Sequence, residues 1–170
     1  YNIAHHAIGW IDSSRVLEFK ALARNQVLSN GGRTRLLIMH DLNTNKKAII
    51  DSIPLDKTSA KMVVDSVYIV YQTGVLKTSR IFKYNIETKQ KIEFKALSNQ
   101  AINYANFSYQ ARSGRLVFGV HQGEDSFALK SLASNELVTL ATSKHEIRVI
   151  GFDHFRNGIY YLKQKKLSFF

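Results

Sequence analysis

A hairpin-like unit returns three times along this 170-residue chain at a nearly constant step. Thr34–Pro54 reads TRLLIMHDLNTNKKAIIDSIP: an apolar-rich run, a polar turn at Asn43-Thr44-Asn45 and a second run. Ser79–Ser98 (SRIFKYNIETKQKIEFKALS) and Ser126–Ser143 (SFALKSLASNELVTLATS) repeat the outline. Leu42, Ile86 and Leu132 stand just before the three turns, 44 and then 46 residues apart. A period of this size belongs to structural repeats that cannot bury their own faces and must stack on one another.

The segments between the hairpins also carry strand periodicity. Val16, Glu18 and Lys20 alternate with Leu17, Phe19 and Ala21, and Val67–Tyr71 is a compact β run. Ser59–Val64, Ile102–Tyr109, Leu116–His121, Glu146–Phe152 and Ile159–Lys163 read the same way, with one more strand starting near Leu167. Val, Ile, Tyr and Phe dominate these runs, which disfavours helices. Residues 15–29 are the exception, because helix formers gather there and a short helix is compatible with them. Each round is thus four up-and-down strands, A to D, with rounds at 1–54, 55–98, 99–143 and an incomplete 144–170.

The A–B turns form a second repeat. Trp10-Ile11-Asp12-Ser13-Ser14-Arg15, Phe107-Ser108-Tyr109-Gln110 leading to Ser113-Gly114-Arg115, and Gly151-Phe152-Asp153 leading to Arg156-Asn157-Gly158 share one pattern. A large apolar residue precedes a polar turn, and a short apolar strand follows. In these residues the chain resembles the TolB-like and WD-repeat-like β-propellers, whose blades carry a W/F-S-x-D-G turn before strand B. It has no Trp-Asp or Gly-His pair and no Pro in these turns, which leaves the subfamily open. The resemblance implies one all-β domain, a β-propeller type of about 3.5 four-stranded antiparallel blades. The alternative is a β-sandwich built from the same meanders. Propellers close with about 4–8 blades, so the rest of the ring is expected from sequence outside these residues or from a second copy. The chain opens on Tyr1 rather than Met, in keeping with a piece of a longer protein.

Composition narrows the class further. With 45% hydrophobic and 22% charged residues and one Pro, the chain is neither disordered nor low-complexity. No apolar run approaches the roughly 18 residues of a membrane span. Cysteine is absent, which removes disulfides and thiolate chemistry and fits an oxidising compartment. The net charge of +11 fits an anionic partner, but the basic residues are dispersed. Lysines such as Lys46, Lys47, Lys91 and Lys95 on outer strands also fit edge protection.

No motif for catalysis emerges, so no enzyme activity and no cofactor are expected. The six histidines show no metal-binding spacing, and no G-x-S-x-G elbow occurs. Asp12, Asp65 and Asp153 occupy equivalent turns, where capping explains the repetition better than a catalytic carboxylate pair does. Tyr68, Tyr71, Phe82, Tyr84 and Lys83 have the composition of a base-stacking surface, with blade core as the competing role.

Propellers bind at the end of the ring where the B–C and D–A connections gather. By that analogy the candidates are Arg24, Arg33, Lys57, Asn99, Gln100, His121, Glu124, Lys144 and His145. The resemblance implies a non-catalytic binding or sensing domain, periplasmic or otherwise extracytoplasmic, of an envelope protein or a membrane-anchored transcription regulator. Its partner would be a protein. The alternatives are a cytoplasmic location, an accessory propeller of a hydrolase, and a basic module for nucleic acid or anionic lipid.

Overall fold

The computed structural model describes residues 5–21, 34–54, 58–65, 67–73, 79–98, 100–153, 155–163 and 166–169. The chain divides into two compact units, Tyr1–Thr58 and Ser59–Phe170. The first is a four-stranded antiparallel meander in the order β1 (His5–Trp10), β2 (Arg15–Ala21), β3 (Thr34–Asp41) and β4 (Lys46–Pro54). Residues 15–21, helix formers by composition, are strand. They pair on both sides and bury Leu17 completely, so ladder and packing override propensity. Residues 22–29 of the ambiguous stretch lie outside the described residues.

Among the described residues, the second unit holds three sheets. The first of these is β5 (Thr58–Asp65), β6 (Tyr68–Thr73), β7 (Arg80–Asn85) and β8 (Lys91–Glu93). The next is β9 (Ile102–Gln110), β10 (Arg115–Gly123), β11 (Ser126–Ala133) and β12 (Glu136–Ser143). The last has three strands, β13 (Ile147–Asp153), β14 (Gly158–Lys163) and β15 (Lys166–Phe169). In each of the four sheets the strands lie side by side in chain order. One outer strand is shorter than its alternation predicts. β8 ends at Glu93, and Lys95–Leu97 turns as a 3-10 helix that seats Leu97 at full burial.

The β9–β12 sheet is covered on both faces, and period-two alternation sorts its residues between them. Leu116, Phe118, Val120, Ala128 and Leu132 pack with Val70, Ile81 and Leu97 of the β5–β8 segment. Val117 and Leu129 point the other way, against Ile147, Val149 and Ile159. Burial of each such side chain stabilises the unit by roughly 1.5–3 kcal/mol. A two-sheet sandwich would leave one face of every sheet to solvent; a sheet buried on both sides is a middle layer in a series, as blades are.

Two polar details hold this series together. Asn106 on β9, 4% exposed, donates from Nδ2 to the Ile147 carbonyl at 2.6 Å and accepts from the Val149 N–H through Oδ1 at 2.7 Å. Its amide thereby takes the place of a neighbouring strand along the edge of β13. Asp65 reaches the next sheet, where its carboxylate accepts from the Ala111 N–H at the β9–β10 turn.

The other turn carboxylates act locally. Asp12 accepts from the N–H groups of Ser14 and Arg15 at 2.9 and 2.8 Å and from Arg15 Nε at 2.6 Å. Asp153 accepts from the N–H groups of Phe155 and Arg156 and from the Tyr160 hydroxyl. Asp41 and Asn85 do the same in hairpin turns, towards Asn43 and Thr44 and towards Glu87 and Thr88.

The Arg15 guanidinium, helped by the Ser14 N–H, holds the Asp12 carboxyl well below the usual carboxylate range. A depressed folded pKa contributes stability that is complete above the unfolded value and is lost as pH falls through the folded one. Asp12→Asn keeps an acceptor for both N–H groups and loses the ion pair, whereas Asp12→Ala loses both. Denaturant midpoints are therefore expected in the order wild type, Asp12→Asn, Asp12→Ala at neutral pH. The gap between wild type and Asp12→Asn should close only in strong acid.

Candidate functional site

A cleft of about 560 Å³ opens between the outer edge of the β5–β8 sheet and the turn end of the β9–β12 sheet. That volume falls within the roughly 300–1,000 Å³ usual for ligand sites. One wall comes from Lys83 on β7, Ile92 and Glu93 on β8, and the segment Phe94–Ala96. The other comes from Leu132, Ala133 and the β11–β12 turn, with Gly114 at the end. That turn has two residues, Ser134 and Asn135, with φ of 49° and 66°. Two positive φ values make the type I′ geometry that keeps hairpin strands in register with their twist.

The cleft sets two lysines, Lys83 and Lys95, beside apolar side chains. Lys83 is held in place by aromatic faces, its Nζ 4.9 Å from the Tyr68 ring centre and 5.8 Å from that of Tyr109. Such contacts orient an ammonium without neutralising it. Lys95 projects from the start of the 3-10 turn and is exposed. Among the described residues, neither lysine forms an ion pair with a carboxylate. Glu93 is already engaged, accepting from Arg80 Nε at 2.8 Å and Nη2 at 2.5 Å. This bidentate pair, chiefly through its hydrogen bond, holds the Glu93 carboxyl below its ordinary range. Ile92, Phe94 and Leu132 supply the apolar surface.

Tyr109 backs this arrangement and is 3% exposed. Burial, with the neighbouring Tyr68 and Asp65, pushes its phenol up to about 12. An unfolded tyrosine ionises near pH 10. Between those values the unfolded chain releases a proton that the folded chain retains, so stability declines as pH rises from about 10 towards 12. Tyr109→Phe should flatten part of that decline in urea midpoints measured across the interval.

Of the nine loop candidates, none of the five among the described residues lines the cleft. Arg24, Arg33, Lys57 and Asn99 lie outside the described residues. Gln100 and His121 come to the opposite end of the β9–β12 sheet, where the His121 N–H donates to the Ala101 carbonyl. Gln100 Oε1 accepts from Lys130 Nζ at 2.9 Å, and the His121 ring lies against Phe127 with centres 4.9 Å apart. Glu124, Lys144 and His145 are exposed in connections at that same end, and the His145 N–H donates to Ser143 Oγ. The base-stacking set is largely core. Tyr71, Phe82 and Tyr84 are 1%, 8% and 8% exposed, which leaves no ring face for a base.

No protein-family model matches the sequence, and no curated protein matches it. Solved structures do. TolB from Acinetobacter baumannii superposes on 92% of this chain and 38% of its own, with a TM-score of 0.60 and 8% identity. The tricorn protease matches 94% of this chain and 16% of its own, with a TM-score of 0.59 and 15% identity. The β-propeller domain of the Trilobed protease from Pyrococcus furiosus matches 94% and 54%, with a TM-score of 0.53 and 12% identity. At such identities the likeness shows the fold, an all-β propeller type resembling part of TolB. The chain spans from 16% to 54% of the length of these three structures.

Proposed function

We propose that this chain is a non-catalytic binding or sensing domain within a larger protein of the bacterial cell envelope. It would belong either to an envelope protein or to the periplasmic portion of a membrane-anchored transcription regulator. The observation that carries the binding role is the cleft, where two cations stand over apolar surface and the neighbouring carboxylate is committed to Arg80. An acid held by a guanidinium is a poor proton acceptor, and lysines beside apolar side chains serve recognition. The likeness to TolB supports the envelope location. A second reading, an accessory propeller of a hydrolase, is favoured by the likeness to the tricorn protease and to the propeller domain of the Trilobed protease.

Calorimetric titration with a peptide library, with chromatography of the recovered peptides, tests the role. Saturable binding with peptide returned intact is the expected result. Cleaved peptide would contradict it, and cleavage only by a longer chain carrying flanking sequence would favour the hydrolase reading. Fractionation of source cells with an antibody to the chain tests the location.

A further inference from the structure

We infer that the cleft takes an acidic peptide in extended form, with a carboxylate against Lys83 and Lys95 and its main chain along the edge of β8. This rests on the binding role proposed above and names the ligand class.

Among the described residues, β8 is the last strand of its sheet and pairs with β7 alone, through Lys91–Tyr84, Ile92–Lys83 and Glu93–Phe82. The flanking bonds, from the Asn85 N–H to the Gln90 carbonyl and from the Phe94 N–H to the Ile81 carbonyl, fix which residues face inward. Antiparallel pairs alternate, so Ile92 bonds to β7 and the backbone N–H and C=O of Glu93, a residue that lines the cleft, turn away from β7 at the open edge of the sheet. A strand edge of this kind accepts an extended chain through main-chain bonds, while pockets beside it choose the side chains.

Glu93 is neutralised by Arg80, so Lys83 and Lys95 leave the cleft positive. Lys83 is pre-positioned by Tyr68 and Tyr109, which reduces the freedom it loses on meeting an anion. Ile92 is 50% exposed beside them. Two cationic groups beside the exposed Ile92 match a chain that alternates acidic and apolar residues, as an extended peptide presents them. A nucleic acid would ask instead for exposed ring faces, and Tyr71, Phe82 and Tyr84 are buried.

Fluorescence anisotropy with a labelled peptide alternating Glu and Leu tests this on the full chain. The probe should bind saturably and more weakly as salt rises. Its Gln-for-Glu counterpart should bind far less, and proline at alternate positions should abolish binding by blocking main-chain pairing. Lys83→Gln and Lys95→Gln should each weaken binding by about fivefold, the effect of losing one partly exposed ion pair. Lys95 is exposed, so its variant reports on the charge even if Lys83→Gln perturbs the fold. Equal binding of the Gln peptide, or unchanged affinity in Lys95→Gln, would overturn the ligand class and leave the binding role standing. Indifference to proline would overturn the edge placement. Stronger binding of a single-stranded oligonucleotide, or no binding of any probe, would overturn the proposal. Hydrolysis of the peptide would overturn both the proposal and the non-catalytic role beneath it.

Discussion

Asn106→Ala should destabilise residues 59–170 by about 3 kcal/mol or more, one of the two largest effects expected from any single change here. Two buried bonds disappear, and the Ile147 carbonyl and Val149 N–H at the edge of β13 lose the amide that ties them to β9. Each buried polar group left unsatisfied costs about 1–3 kcal/mol, well above the net worth of an ordinary hydrogen bond. The effect should also be local in its signature. Hydrogen exchange of the Val149 amide should accelerate more than that of amides in the β10–β11 ladder, because β13 loses its tie to β9 first. Asn106→Asp keeps one acceptor but places a charge in the site, and should be no better than alanine.

Gly119→Ala should be at least as damaging, by another route to the same place. A Cβ added at Gly119 on β10 would lie 2.1 Å from Asn106 Nδ2 and 2.7 Å from the Ile147 carbonyl oxygen. Neither distance is tolerable, and the second involves backbone. The alanine therefore expels the amide and pushes β13 away, adding overpacking of about 1–3 kcal/mol to the lost bonds. The two substitutions share one cause, so they should not add. In an Asn106→Ala background the nearest clash is gone, and Gly119→Ala should cost less than it does alone. Denaturant unfolding of the two single variants and the double variant measures that coupling.

Much of the fold was legible because it is written in alternation. The turns at Asn43 and Ser134, and the two-sided burial of the β9–β12 sheet, follow from apolar runs of strand period. The strand Arg15–Ala21 was legible from the alternation of Leu17 and Phe19 despite its helix formers. The early end of β8 was not. It depends on Leu97 finding full burial, a tertiary event that local pattern does not register. The candidate site was scarcely legible. Its walls come from 83–96 and from 114 and 132–135, and periodicity does not show which outer edge meets which turn. Lys83 and Tyr68 drew notice only as base-stacking candidates. The Asn106–Gly119 contact did leave a trace: a glycine inside the apolar run Val117–Val120 signals close approach of another backbone. An Asn in the strand before it was the other half of the signal.

The β9–β12 sheet is a middle layer, and methyl NOE spectroscopy on selectively labelled protein tests that most directly. Cross-peaks are predicted from Leu116 and Val120 to Val70 and Ile81, and a separate set from Val117 and Leu129 to Ile147 and Ile159. Methyl groups of Val117 and Leu129 open to solvent, or sharing the partners of Leu116 and Val120, would contradict the stacked series and the cleft built upon it.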